Sequence, residues 1–411
     1  MIPDLNWPLM QDNIRRDDVT KIIEFLQADP LPKLTQSYQV KEFEHEWSEW
    51  LGVKHSVFVS SGAAANLITL SALSEMVGGG EIIVPPLAWV SDITSVIYAG
   101  FTPVFVDINP WTLACDVDDI ERKISSKTRA IFLTHVLGYN GLDEQLLNLV
   151  TDKGIYLIED ACESHGATYK DKKVGSYGDI SNFSFYYAHH MSTIEGGMVC
   201  TNDRHIDNLL RMIRGHGMAR EGDSNTSNFY VEQNRDLSKD FIFAVPGYNV
   251  RSTEINAVLG RSQLKTLDAN NGIRKKNAAI FYSNLDTRYF RTEMAIDGSC
   301  SYAFTPILRY KDDHFRDKIE ELFRDCRVEY RRGLSGGGNQ LRQPYIRKYI
   351  MNRYGAQSRQ EFDVILGRDF PQVEHVHKYG WYIGNYPSLE TEKIRVLCDL
   401  MNKIGKVYGH V

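Results

Sequence analysis

The feature that most restricts the fold is a series of short apolar runs alternating with helix-like segments. "HSVFVS" (55–60), "EIIVP" (81–85), "TPVFVD" (102–107), "RAIFLTH" (129–135) and "IYLIED" (155–160) recur along the first half of the chain. Their Val, Ile and Phe content and lack of polar alternation predict strands buried on both faces, as parallel sheets provide. Between them, 63–76 and 117–124 carry helical spacing. The series therefore predicts βαβ units and an α/β fold with a mainly parallel, doubly wound sheet. Ligands in such sheets bind beyond the C-terminal ends of the strands.

Past about residue 250 the pattern changes. Helical stretches at 253–265, 273–286 and 314–325 surround β-like pieces at 302–310 and 326–332, which predicts a smaller α+β domain. The expected division is a large domain over 1–250 with an N-terminal arm, and a small domain over 251–411; 411 residues suffice for both. The polar segment 220–228 and the glycine-rich segment 334–340 are expected to be loops.

Charge and cysteine usage exclude several functions. A formal net charge of -6 supplies no basic stripe to neutralise phosphates, so nucleic acid is not an expected partner. No window has the roughly 18 apolar residues of a membrane span, and the N-terminus lacks a continuous apolar run, so the expected location is cytoplasmic. Six cysteines without a C-x-x-C argue against zinc, iron–sulfur or a disulfide framework. The pair His375 and His377 in "EHVHK" has no accompanying ligand cluster and is expected at the surface.

Three motifs could carry chemistry. "VSSGAAANL" (59–67) places small residues between a strand and a helix; it is either a plain turn or a helix N-terminus open to a phosphate. "IYLIEDACESHGA" (155–167) ends a strand with Glu159 and Asp160. One carboxylate should enter the crevice, where it could hold a protonated ring nitrogen, while the other caps "ACES" or faces solvent. "FSFYYAHHMSTIEGG" (183–197) contains adjacent histidines, and no lysine occurs between Lys173 and Lys239. Neighbours on an extended strand point to opposite faces, so a metal shared by His189 and His190 is not expected.

The order of these motifs, with Trp89 in "PPLAWVSD", Ser184, the Glu-Gly-Gly turn and "PGYNVRSTEINAVLG" (246–260), resembles the DegT/DnrJ/EryC1/StrS sugar aminotransferases. These are pyridoxal-phosphate (PLP) enzymes of fold type I, the aspartate-aminotransferase-like fold. The resemblance runs from about residue 6 to the C-terminus. Family members usually read Ser-Phe-x-x-x-Lys-x-x-x-x-x-Glu-Gly-Gly; here Ser184 and Glu195 fix the register and His189 takes the lysine position. That departure resembles the family's histidine subgroup, whose members remove the C3 hydroxyl of nucleotide-linked 4-keto-6-deoxy sugars from the pyridoxamine phosphate (PMP) form.

The resemblance implies the following roles. His189 is the proton carrier, suited by an ordinary pKa of about 6.5. Asp160 holds the cofactor's ring nitrogen and Trp89 stacks on its ring, unless Trp89 is a core aromatic. Gly62, Ala63 and Ser184 hold the phosphate, Asn249 reaches over from a partner subunit, and Glu163 replaces the usual Gln beside the ring hydroxyl. His216 and Arg251 are ligands of glutamate or sugar, or Arg251 forms a structural salt bridge. GDP-4-keto-6-deoxymannose is the first expected substrate, although "GGGNQLRQPY" (336–345) is more similar to the CDP-sugar branch. L-glutamate would reload PMP, ammonia would leave, and a homodimer would share its active sites. The competing expectations are an aminotransferase that manages without the lysine and a non-catalytic homologue that binds PLP or a nucleotide sugar.

Overall fold

In the computed structural model, which describes residues 3–294 and 297–409, the five predicted runs all become strands of one sheet. They are β1 (His55–Val59), β2 (Glu81–Val84), β3 (Thr102–Phe105), β4 (Thr128–Thr134) and β5 (Tyr156–Asp160). A small hairpin, β6 (Thr168–Tyr169) and β7 (Lys172–Lys173), precedes two more sheet strands, β8 (Ile180–Ser184) and β9 (Gly197–Thr201). The seven-stranded order is β1-β9-β8-β5-β4-β2-β3. Only β9 runs against its neighbours, so the α/β expectation holds. The parallel strands all end at the same edge, where Asp160 and Ser184 are the last residues of β5 and β8.

A second, antiparallel sheet has β12 (Trp381–Gly384) between β10 (Ala303–Phe304) and β11 (Tyr330–Arg332). The N-terminal segment joins this sheet across almost the whole sequence. Trp7 is buried, bridges to Val328, and donates its indole N–H to the Gly384 carbonyl at 2.9 Å. Gly384 is required there, because a Cβ would lie 2.5 Å from the Pro8 and Leu9 carbonyl oxygens.

Four local expectations are corrected. The helices expected at 253–265 and 273–286 are one 31-residue helix, Glu254–Asn284. Its buried face includes the polar residues Gln263, Asn271, Arg274 and Asn277, so apolar periodicity breaks where the helix does not. The expected loop at 220–228 contains the start of a helix, Ser224–Gln233, capped by the Asp223 carboxylate accepting from the Thr226 N–H. None of its residues is buried, so no apolar stripe marks it. His375, expected at the surface, is buried on helix Pro371–Tyr379 with its Nε2 2.7 Å from the Leu308 carbonyl oxygen. Finally, Glu159 neither caps a helix nor meets solvent.

Glu159 is fully buried, on the opposite face of β5 from Asp160. Its carboxylate accepts from the backbone N–H groups of Gly175 (2.7 Å), Tyr177 (2.9 Å) and Gly178 (2.6 Å), and lies 3.0 Å from His135 Nε2. The turn it gathers leads directly into β8. Burial works to raise its pKa, but the His135 ring and the backbone donors outweigh burial and hold it below the ordinary value. A depressed carboxyl stabilises the fold above its unfolded pKa of about 4.3 and loses that contribution as pH falls through the folded value. Glu159→Gln should therefore cost about 2–4 kcal/mol at neutral pH. The gap between wild type and variant should close in acid, as read by urea unfolding at a series of pH values.

Candidate functional site

The edge where the parallel strands end opens into a cavity of about 420 Å³. It brings together seven of the sequence-predicted residues: Gly62, Ala63, Trp89, Asp160, Glu163, Ser184 and His189. A more open depression beside helix Pro344–Tyr354 is lined by Arg347 and Lys348 but by no acid or histidine, so it lacks an acid–base pair.

Gly62 and Ala63 start helix Gly62–Val77, capped by Ser61, whose Oγ accepts from the Ala64 N–H at 3.0 Å. A Cβ on Gly62 would lie 2.6 Å from Ser184 Cβ. Only glycine lets the helix start approach the end of β8, which leaves N–H groups and the Ser184 hydroxyl around one small space. Trp89, at the head of helix Val90–Tyr98, is 56% exposed. It is not a core aromatic, and its ring face is free.

Asp160 is 4% exposed; its Oδ1 accepts from the Cys162 N–H at 2.9 Å and its Oδ2 from Asn66 Nδ2 at 3.1 Å. The Cys162 contact lies in a turn, not in a capped helix. Glu163 is half-buried and accepts from the Leu137 N–H (3.0 Å) and the Ser335 hydroxyl (2.9 Å). Burial, opposed by those two donors and assisted by the Asp160 charge, raises its pKa to about 7.

His189 and His190 lie in a turn after β8 rather than on an extended strand. Opposite strand faces are therefore not what separates them. His189 is packed against Tyr302 and His165, with ring centroids 5.6 and 6.2 Å away, and its Nδ1 is buried without a partner. His190 is buried, with its Nε2 3.1 Å from the Cys300 carbonyl oxygen. Among the described residues no His, Cys, Asp and Glu cluster could hold a metal. Burial first, and then the Arg274 guanidinium, lower the His189 pKa to about 4 against a raising hydrogen bond to the Cys162 backbone. His189 is thus a free base at neutral pH.

Asn249, His216 and Arg251 do not line this cavity. They form their own cluster, in which the Arg251 guanidinium donates to Asn249 Oδ1 at 3.0 Å and lies 3.4 Å from His216 Nε2. Among the described residues Arg251 has no carboxylate partner, so the structural salt bridge is not seen. Other wall residues come from places that motif reading does not reach. Leu9, Met10, Tyr302, Ser335 and Tyr382 are remote in sequence from β5 and β8, and Asp92 stands three residues after Trp89 in "PPLAWVSD".

Comparison with known proteins fits this architecture. The DegT/DnrJ/EryC1/StrS aminotransferase family model matches residues 13–345. The chain belongs to that family. A GDP-4-keto-6-deoxy-D-mannose 3-dehydratase of Yersinia pseudotuberculosis is 29% identical over 97% of this chain and 99% of its own. A GDP-perosamine synthase of Escherichia coli O157:H7 is also 29% identical, over 89% of each chain. A crystal structure of a GDP-4-keto-6-deoxymannose-3-dehydratase with a trapped PLP-glutamate geminal diamine superposes with a TM-score of 0.82 at 27% identity, over 96% of this chain and 100% of that one.

The DegT/DnrJ/EryC1/StrS family is PLP-dependent, and the chain has its fold type I architecture. The cavity fits that cofactor. The space at Gly62 and Ser184 suits a phosphate, the free face of Trp89 suits an aromatic ring, and Asp160 supplies a carboxylate within the same cavity. Among the described residues no helix is long and apolar enough to cross a membrane.

The Glu163 environment generates a prediction. A carboxyl whose pKa is raised in the folded state contributes stability below its unfolded value and loses it as pH rises through about 7. Between about pH 5 and 9, wild type should lose roughly 2 kcal/mol relative to Glu163→Gln, allowing for the partial exposure of the side chain. Urea unfolding of the cofactor-free proteins at both pH values measures the difference.

Proposed function

We propose that the protein removes the C3 hydroxyl of a nucleotide-linked 4-keto-6-deoxy sugar, GDP-4-keto-6-deoxymannose first, with L-glutamate restoring the cofactor amine and ammonia released. The observation that carries this reading is that, among the described residues, the cavity is lined by His189 and by no lysine. Histidine cannot bind the cofactor aldehyde covalently, but it can take a proton and give it back. The likeness to GDP-4-keto-6-deoxy-D-mannose 3-dehydratase over nearly the full length of both chains supports the same chemistry.

The bound cofactor supplies an amine for the sugar ketone and a ring that draws off electrons. His189 takes up a proton at a ring nitrogen and delivers it to the departing C3 hydroxyl. Burial favours its neutral form, so the acquired proton is readily passed on. Asp160 would supply the carboxylate that holds the cofactor's ring nitrogen. Trp89 would cover the ring, Glu163 would stand beside the ring hydroxyl, and the N–H groups of Gly62 and Ala63 with the Ser184 hydroxyl would hold the phosphate.

Asn249, His216 and Arg251 act in the cavity of a second copy, with Arg251 suited to a planar carboxylate. The outward exposure of Phe241, Phe243 and Tyr248 on the same segment supports such a homodimer. A cytoplasmic role in deoxysugar supply for surface polysaccharide follows from the substrate class.

The second reading is amino transfer to the same kind of sugar, favoured by the equal identity to GDP-perosamine synthase. Purified protein with PLP, glutamate and GDP-4-keto-6-deoxymannose separates the two, with the CDP-linked sugar as a parallel arm. Loss of the 3-hydroxyl with ammonia release is expected. An amino sugar would establish the second reading, and neither product with retained cofactor would leave a binding protein. His189→Asn should retain the cofactor while dehydration falls by about 10²-fold or more. Borohydride should trap no cofactor on the chain, and trapping on any lysine would refute the role of His189.

A further inference from the structure

Asp92 is a fully buried carboxyl in the cavity wall to which the proposed chemistry gives no task. Its Oδ2 accepts from the Thr134 hydroxyl at 2.9 Å and its Oδ1 lies 3.0 Å from Asn66 Nδ2. The same Asn66 nitrogen reaches Asp160 Oδ2 at 3.1 Å and Ser91 Oγ at 3.1 Å. One amide nitrogen carries two hydrogens but here faces three acceptors, and Asn66 Oδ1 is buried with no partner. The cluster is short of a proton.

It is also short of positive charge. The titratable groups around Asp92 are Asp160, Glu163, Cys162 and Tyr345, all anionic or neutral. Among the described residues no Lys, Arg or His forms an ion pair with Asp92, Asp160 or Glu163, and Arg331, the cavity's only Lys or Arg, donates to the Tyr330 carbonyl. Two neighbouring carboxyls without a cation do not both ionise; they share one proton, and the more enclosed one keeps it. Asp92 is the more enclosed. Burial and the Asp160 charge hold its pKa well above the carboxylate range against the Thr134 hydroxyl.

We propose that Asp92 is a neutral positioning residue that donates its proton to Asp160 and leaves Asp160 as the single negative charge at the foot of the cavity. The inference rests on the cofactor-facing role of Asp160 given above. The shared proton orients the Asp160 carboxylate and caps the charge of the pair at one.

Infrared spectroscopy of the cofactor-free protein tests this without turnover. In a Glu163→Gln background, which removes the cavity acid whose pKa is raised to about 7, a protonated-carboxyl carbonyl band should persist at neutral pH, above the ordinary carboxylate range, and vanish in Asp92→Asn. Absence of the band at neutral pH, or its survival in Asp92→Asn, overturns the proposal. In cofactor-loaded protein, Asp92→Asn keeps a neutral donor and should move the midpoint of the pH-dependent absorbance change by less than about 0.5 unit, whereas Asp92→Ala should move it by about one unit or more. A shift of about one unit in Asp92→Asn would mean that a negative charge was removed, and would also overturn it. A persistent band in a protein that does not dehydrate the sugar refutes the dehydratase reading alone; active enzyme without the band refutes this inference alone.

Discussion

The site depends on the fully buried carboxylate of Glu159. By gathering the backbone N–H groups of Gly175, Tyr177 and Gly178, it fixes the turn from which β8 starts beside β5. Strand alternation then does the rest: Glu159 turns to the interior while Asp160, one residue on, turns toward the cavity. Ser184 ends β8 at the same edge and meets Gly62 across a gap that admits only hydrogen. A carboxylate, a hydroxyl and a helix start thus converge without any of them being near neighbours in sequence.

The runs that become β1 to β5 were legible because they are rich in Val, Ile and Phe, and all but the edge strand β3 are buried along most of their length; β8, "ISNFS", is buried throughout, but its Ser and Asn content hides it from composition. The second half of the chain was less legible. The helix Glu254–Asn284 buries amides and a guanidinium where a pattern reader expects apolar residues, and the helix Ser224–Gln233 buries nothing. In both, the signal is set by tertiary surroundings rather than by periodicity. Within the site, Gly62, Asp160, Ser184 and His189 could be found because each belongs to a contiguous motif. Leu9, Met10, Tyr302 and Ser335 could not, since each is brought in by an unrelated element. Asp92 lies three residues after Trp89 in "PPLAWVSD", where nothing in the sequence separates it from a solvent-facing acid.

A lysine exchanged for histidine alters more than nucleophilicity. It removes a cation that would otherwise help balance the carboxyls of the cavity, and leaves Asp92, Asp160, Glu163 and Glu195 with a neutral His189 and with Arg331 as the one Lys or Arg among the described lining residues. Burial raises the Glu163 pKa and the neighbouring Asp160 charge adds to it; the protonated state assigned to Asp92 has the same two causes. The positively charged ring of a bound cofactor is the natural counterion for the charge that remains.

The docking of Trp7 against Val328 and Gly384 has a temporal consequence. Leu9 and Met10 cannot take their place in the cavity wall until Gly384, 377 residues after Trp7, has been made. A loop of that span closes late in folding. The sheet and its phosphate-sized space can form early, but the wall is finished among the last events in the birth of the molecule, so a prematurely terminated chain would lack it.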